Sequence, residues 1–207
     1  MDLVSVSYGQ EFNFYSERLP SWNGWLASMV LDSNGNHIGV DGTSKSISNS
    51  MDIHLLMALR AKSDVIVTTG KTARIEAYKA SRFAPIAIVS RQPKPLDGIP
   101  AFSQTGDFKS IVLRSDGLEL DFDDLGRQLR TLGFNRFLFE GGPSTMSQLL
   151  RSDVASELVL SVVDVDASQK LEPRRIAETR LGLGPEFVLA DDFLAERNRV
   201  TRWVRTG

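Results

Sequence analysis

Short apolar segments alternate with amphipathic segments along most of this chain, and the alternation limits the folds that it can adopt. The apolar segments are rich in β-branched residues and too short for helices, so they predict strands. These predicted strands cover residues 25–31, 64–69, 86–90, 110–113, 137–139 and 157–163. Helical patterns follow most of them, which favours a three-layer α/β/α fold with a mixed, mostly parallel sheet. Residues 187–205 predict an antiparallel hairpin at the C-terminal end of the sheet.

Capping and turn signals add detail to this pattern. Residues 32–36 predict a turn into a short strand that ends near Val40. The predicted helices begin at Asn49 or Ser50, at Thr72, at Asp121 and at Ser144, and the one from Thr72 runs toward Lys79. The first 20 residues lack clear periodicity, so we expect an N-terminal arm that lies over the body or packs on a partner.

The composition excludes several classes of protein. A length of 207 residues suits one domain, and 42% hydrophobic with 24% charged residues is typical of a globular chain. The net charge of −2 provides no basic field for nucleic acid, and the absence of cysteine excludes disulfide scaffolds and thiolate metal sites. No leader peptide or apolar span is evident. We therefore expect a cytoplasmic protein that binds neither membranes nor nucleic acid.

A glycine pair follows the predicted strand at residues 137–139. Gly141 and Gly142 allow a ligand to approach the backbone, and a predicted helix starts immediately after them. The free N–H groups of a helix amino end favour an anion. A glycine pair also serves plain tight turns, so this segment predicts either a phosphate site or a structural turn.

A second strand-to-helix turn contains Gly70, Lys71 and Thr72. The P-loop pattern requires a glycine five residues before Gly70, and that position is Val65, so the segment does not match a P-loop. The turn can still hold a phosphate, because ligands of open sheets gather beyond the carboxyl ends of the strands. After the next strand, Ser90-Arg91 would suit a monoester phosphate, although a solvated arginine is the simpler interpretation.

Few residues suggest acid–base or nucleophilic chemistry. His54 lies on a predicted helix, where a packing or surface role is typical, and Ser144 lacks the G-x-S-x-G elbow. Asp121, Asp123 and Asp124 form an acidic first helical turn, not a metal cluster. The sequence therefore favours a reaction in which a cofactor supplies the chemistry and the protein orients it.

Four segments, in this order and spacing, resemble the pyrimidine reductases of riboflavin biosynthesis (the C-terminal reductase domain), which share the dihydrofolate reductase fold. They are residues 27–32 (ASMVLD), 42–48 (GTSKSIS) with Asp52, 59–67 (LRAKSDVIV) running into Gly70 and Thr72, and 140–144 (EGGPS). The resemblance covers residues 24–163. It implies a dihydrofolate reductase-like domain over residues 21–207, with residues 1–20 as the arm.

The resemblance implies NADPH as the hydride donor. In that family a hydroxyl residue before the second helix and an aspartate four residues later contact the cofactor, which points to Ser48 and Asp52. The other implied cofactor contacts are Gly70 and Thr72 at phosphate, Gly141, Gly142, Pro143 and Ser144 at the pyrophosphate, and Ser90 and Arg91 at the 2′-phosphate. The family also implies a homodimer, with residues 158–163 as part of its interface.

The implied substrate is 5-amino-6-(5-phosphoribosylamino)uracil, with Ser44, Lys45 and Arg74 as candidate contacts. The family carries an Asp-Asp-Pro segment after the second phosphate turn, whereas this chain has residues 73–78 (ARIEAY). The family's glycine turn after Val163 is replaced by residues 164–169 (DVDASQ). Two alternatives therefore stay open: a non-catalytic nucleotide-binding module, and a reductase of another heterocycle or carbonyl.

Overall fold

A single nine-stranded sheet forms the centre of the molecule. The computed structural model describes residues 2–90, 96, 98–104, 106–165 and 172–207. The strands are β1 (Asp2–Val4), β2 (Gly24–Leu31), β3 (Val65–Thr69), β4 (Ile86–Ser90), β5 (Ile111–Arg114), β6 (Arg136–Phe139), β7 (Ala155–Val162), β8 (Phe187–Ala195) and β9 (Asn198–Arg205). Their order is β1-β8-β9-β7-β2-β6-β3-β4-β5. Only β9 runs antiparallel to its neighbours, which confirms the mixed, mostly parallel sheet and the C-terminal hairpin.

Helices cover both faces of the sheet. They are α1 (Glu11–Arg18), α2 (Ser50–Lys62), α3 (Gly70–Ile75), α4 (Pro100–Ser103), α5 (Phe122–Thr131), α6 (Pro143–Arg151) and α7 (Pro173–Leu181). Successive strand residues face opposite sides, so Trp25 and Phe137 pack with α5, α6 and α7, while Leu26 and Leu138 pack with α1 to α4. Two buried apolar clusters thus flank the sheet, and the predicted three layers are confirmed.

The topology brings the ends of the central parallel strands to one edge. From β2 the chain crosses to β3 and continues outward to β4 and β5, then returns to β6 between β2 and β3. The carboxyl ends of β2, β3, β4 and β6 therefore lie along the same edge. Open sheets bind ligands at such a reversal of strand order.

Two expectations about local structure differ from the structure. Residues 37–40 form no strand, because β2 is already paired with β6 on one side and β7 on the other. The helix expected from Thr72 to Lys79 is α3, which begins at Gly70 and ends at Ile75. Ala77 has a φ of 47°, a left-handed conformation that ends the helical path.

The apolar segment at residues 158–163 is also unavailable for a dimer interface. β7 lies between β2 and β9, and Leu158, Val159 and Leu160 are fully buried within the monomer. A strand flanked on both sides and covered by helices has no surface left for a second chain. The expectation that these residues form such an interface is therefore wrong.

The N-terminal residues fold onto the body. β1 pairs in parallel with the end of β8, and Tyr15 of α1 is completely buried in the cluster that also contains Leu55 of α2. Neither α1 nor α7 is evident from the sequence pattern. Within the described residues, no helix is long and apolar enough to cross a membrane.

Candidate functional site

The two glycine turns meet at the carboxyl edge of the sheet. β3 and β6 are adjacent, so the turn that starts α3 and the turn that starts α6 lie side by side. A Cβ atom built on Gly142 would lie 3.9 Å from Thr72 Oγ1 and would have no closer neighbour within 4 Å among the described residues. The Gly142 backbone therefore leaves room for a methyl-sized group against Thr72, and we call this place the cradle.

Gly141 and Gly142 are required for different reasons. A Cβ atom on Gly141 would overlap the Phe139 ring and lie 2.7 Å from Thr145 Oγ1, so this glycine serves internal packing. Gly142 has a φ of −71°, which any residue can adopt, and its open side faces the cradle. Only Gly142 has the geometry expected of a residue that leaves room for a ligand.

The two helix amino ends at the cradle differ in how they are capped. In α3 the Thr69 hydroxyl accepts a hydrogen bond from the Thr72 N–H at 3.2 Å. In α6, which has Pro143 at its first position and Ser144 at its second, no described side chain caps the first turn. Uncapped N–H groups and the positive end of the helix dipole are favourable for an anion.

Glu140, next to the glycine pair, is held by a buried ion pair. Arg60 Nε donates to Glu140 Oε1 at 2.8 Å, and the Tyr78 hydroxyl donates to Glu140 Oε2 at 2.6 Å. The Glu140 backbone also bonds to β3, through its N–H to Val67 O and its carbonyl to the Thr68 hydroxyl. The start of the glycine turn is thus fixed to α2, β3 and the segment after α3.

Ser48 and Asp52 lie together at the amino end of α2. The Ser48 hydroxyl donates to Asp52 Oδ2 at 2.7 Å, and Asn49 caps the helix by accepting from the Asp52 N–H. Burial raises the pKa of Asp52, while the hydrogen bond from the Ser48 hydroxyl acts in the opposite direction. Because α2 follows the loop that leaves the end of β2, Asp52 lies at the same edge as the glycine turns.

The candidate substrate residues Ser44 and Lys45 form contacts with the segment after α3. The Ser44 N–H donates to Glu76 Oε1 at 2.8 Å, and Lys45 Nζ donates to the Glu76 carbonyl at 2.8 Å. Arg74 Nη1 donates to the Gly70 carbonyl at 3.1 Å. Ser44 and Lys45 are thus joined to the stretch in which the sequence departs from the riboflavin reductase pattern.

The remaining predicted residues have simpler placements. Ser90 ends β4 opposite Arg114 of β5, while Arg91 lies outside the described residues. His54 Nδ1 contacts the Ser50 carbonyl at 2.8 Å, and Asp121 caps α5, as an acidic first turn predicts. Among the described residues, no group of three or more histidine or acidic side chains could hold a metal ion.

Several residues of the site were not singled out by the sequence. They are Arg60, Glu76, Tyr78, Arg114 and Glu140. A charged residue directly after a buried strand was a usable signal for Glu140, because such a group needs a partner. Arg60 and Tyr78 give no such signal, since their pairing depends on the crossover of α2 and on the left-handed turn at Ala77.

Solved structures resemble this fold over nearly the whole chain. A pyrimidine reductase-like protein from Corynebacterium diphtheriae has a TM-score of 0.65 and 15% identity, covering 95% of this chain and 99% of that one. A diaminohydroxyphosphoribosylaminopyrimidine deaminase/5-amino-6-(5-phosphoribosylamino)uracil reductase from Thermotoga maritima has a TM-score of 0.67 and 14% identity, covering 95% and 60%. Dihydrofolate reductase from Enterococcus faecalis, complexed with NADP(H), has a TM-score of 0.54 and 10% identity, covering 89% and 97%.

These likenesses confirm the dihydrofolate reductase-like fold. This chain spans 60% of the Thermotoga maritima chain, so the likeness there extends over only part of that protein. No curated protein sequence matches the chain. The family model of the RibD C-terminal domain, however, matches residues 35–164, more than half of the chain and most of the segments that carry the resemblance. The chain belongs to the RibD C-terminal domain family.

Proposed function

We propose that this protein is an NADPH-dependent reductase that acts on 5-amino-6-(5-phosphoribosylamino)uracil or a close analogue. The observation that carries the proposal is the open cradle between Gly142 and Thr72, where two strand-to-helix turns meet at the carboxyl edge of the sheet. Family membership and the reductase named for the Thermotoga maritima neighbour favour the same reaction class. The uncapped amino end of α6, at the carboxyl edge of the sheet, is a place where open sheets bind a nucleotide pyrophosphate.

The residues of the cradle fit a pyrophosphate. Gly142 would allow its oxygens close to the backbone, and the Thr72 hydroxyl lies on the facing side, whereas the space beside Gly70 is occupied by Arg74 and Leu96. Pro143 and Ser144 start the uncapped helix α6, whose N–H groups would donate to those oxygens. When bound, reduced nicotinamide supplies the hydride.

Ser48 and Asp52 would hold the nicotinamide ribose. Their hydroxyl–carboxylate pair is preformed at 2.7 Å, so little reorganisation is needed to bind a sugar hydroxyl. The raised pKa of Asp52 means that its carboxyl keeps a proton to a higher pH than an exposed carboxyl does. The Ser48 hydroxyl and the Asp52 carboxyl would thus offer adjacent hydrogen-bonding groups to the ribose.

Ser90 and Arg91 would bind the 2′-phosphate that distinguishes NADPH from NADH. Ser90 ends β4 at the ligand edge, and the exposed Arg114 of the adjacent strand is a second cation at this position. Guanidinium groups bind phosphate through paired, charge-assisted hydrogen bonds. On the substrate side, Ser44, Lys45 and Arg74 would contact the ribose phosphate.

The test has a binding arm and a turnover arm. Calorimetry should show tighter binding of NADPH than of NADH, and Arg91→Ala should reduce the preference by roughly 10- to 150-fold. Arg114→Ala shows whether the second cation shares this role. Loss of NADPH absorbance with the phosphoribosylaminouracil, and not with dihydrofolate or simple carbonyls, would support the named substrate.

Each alternative has a distinct outcome. Tight NADPH binding with turnover of none of these compounds would favour the non-catalytic nucleotide-binding module. Turnover of dihydrofolate or a simple carbonyl instead would favour a reductase of another substrate. Failure to bind either nicotinamide nucleotide would overturn the proposal. We also propose a homodimer, whose test is the molar mass in solution.

A further inference from the structure

Residues 76–78 contact both halves of the candidate site. Tyr78 donates its hydroxyl to Glu140 Oε2 at 2.6 Å, beside the glycine turn. Two residues earlier, Glu76 accepts the Ser44 N–H through its side chain and the Lys45 ammonium through its carbonyl, both at 2.8 Å. One short segment therefore joins the turn assigned to the cofactor and the loop assigned to the substrate.

The contact at the glycine turn is buried and charged. Glu140 is only 7% exposed, and its carboxylate accepts two hydrogen bonds from Arg60 as well as the one from Tyr78. Hydrogen bonds to a charged group in a low-dielectric interior are stronger than ordinary ones. The direction of the Glu140 side chain, and with it the start of the turn at Gly141, depends on these partners.

The segment between the two contacts is internally bonded. Glu76 N–H donates to Thr72 O, Ala77 N–H to Arg74 O, and Tyr78 N–H to Ala73 O. Ala77 holds a left-handed φ of 47°, a conformation that costs free energy for a residue with a side chain. Because these bonds fix the backbone, a shift of Tyr78 moves Glu76 with it.

We propose that Glu76 and Tyr78 are positioning residues that couple the two halves of the site. Tyr78 positions the glycine turn through Glu140, and Glu76 positions the loop that contains Ser44 and Lys45. Nucleotide bound at the turn then orders residues 43–48, so cofactor binding prepares the substrate side. This inference rests on the proposed function for its ligand, and on the contacts of residues 76–78 for its pathway.

The experiment combines calorimetry with hydrogen exchange of residues 43–48, with NADP⁺ as the probe. In the wild type, saturating NADP⁺ should slow exchange in this loop. Tyr78→Phe keeps the ring that faces Arg60 and removes only the hydroxyl bond, so it should weaken NADP⁺ binding by about tenfold. It should also abolish the nucleotide-induced protection of the loop at saturation.

Glu76→Ala tests the other end of the coupling. This variant should lose NADP⁺ affinity only by the factor by which NADP⁺ protects the loop in the wild type, because coupling is reciprocal and its side-chain contact is to the loop and not to the turn. Loop exchange should be fast with or without NADP⁺. Tyr15→Phe is the matched control, since Tyr15 is fully buried and its hydroxyl has no partner among the described residues.

The outcomes separate the coupling from the function. If Tyr78→Phe lowers only the melting temperature and keeps wild-type NADP⁺ affinity and loop protection, Tyr78 is a packing residue and the coupling is wrong. Equal effects of Tyr15→Phe and Tyr78→Phe would also overturn it. If the wild type binds no NADP⁺, the proposed function fails. The coupling is then tested without ligand, and it requires that Tyr78→Phe speed hydrogen exchange at residues 43–48.

Discussion

At the scale of single residues, substitution of Gly142 should mainly weaken ligand binding, and substitution of Gly141 should mainly lower stability. Gly142→Val places its side chain in the open cradle, so the protein should fold with a loss of about 1 kcal/mol at the helix cap. NADP⁺ affinity should fall by at least about tenfold. Gly141→Ala forces a methyl group against Phe139 and should cost about 1–3 kcal/mol of stability. Thermal denaturation and calorimetry of both variants check this, and normal NADP⁺ binding by Gly142→Val would contradict a ligand at the cradle.

Asp52 gives a prediction about pH at the same scale. Its pKa is raised by burial, so the folded state is penalised once the pH exceeds the unfolded pKa of about 3.9. Below that value the carboxyl is protonated in both states and the penalty disappears. Asp52→Asn keeps the shape and should therefore be more stable than the wild type near pH 7, with the gain shrinking on acidification.

Melting temperatures across the pH range measure this difference. Asp41→Asn is the control, because hydrogen bonds from Ser46 and Thr43 lower the pKa of Asp41. Its substitution should have the opposite sign, a small loss near pH 7 that fades in acid. A constant difference between Asp52→Asn and the wild type at every pH would mean that the Asp52 carboxyl is not penalised by burial.

At the scale of elements, the sequence predicted what short-range patterns determine. The caps Asn49 and Asp121 set the starts of α2 and α5, and the apolar runs gave the central strands and the hairpin. The expected strand at residues 37–40 was wrong because its partner positions beside β2 belong to β6 and β7, which come much later in the chain. Such competition between distant segments leaves no local signal.

The candidate site divides in the same way. Gly70, Thr72 and the glycine pair could be recognised in the sequence as strand-to-helix turns. They lie together because parallel strands end at one edge of the sheet. The network of Arg60, Tyr78 and Glu140 joins three elements and needed the structure. Helix α1 was missed because its apolar residues are few and irregular, although Tyr15 is fully buried.

At the scale of the whole molecule, the N-terminal segment packs on one of the two buried apolar clusters and adds an edge strand to the sheet. The ring of Phe14 lies 5.8 Å from that of Phe193, and Arg18 forms paired hydrogen bonds with Asp191 at 2.7 and 2.8 Å. β1 adds only three residues at the edge of β8. If residues 1–20 are an arm on a domain of residues 21–207, we therefore expect β1 to contribute little to stability and α1 to contribute much.

Two truncations test this difference. Removal of residues 1–9 takes away β1 and little buried surface, so the melting temperature should change by only a few degrees. Removal of residues 1–19 also uncovers Phe193 and deletes the buried Tyr15, a loss comparable to an aromatic-to-alanine change of about 3–5 kcal/mol. For a chain of this size that corresponds to a fall of roughly 10 °C or more. A wild-type melting temperature for the longer truncation would show that residues 20–207 are stable alone and that α1 contributes nothing to the core.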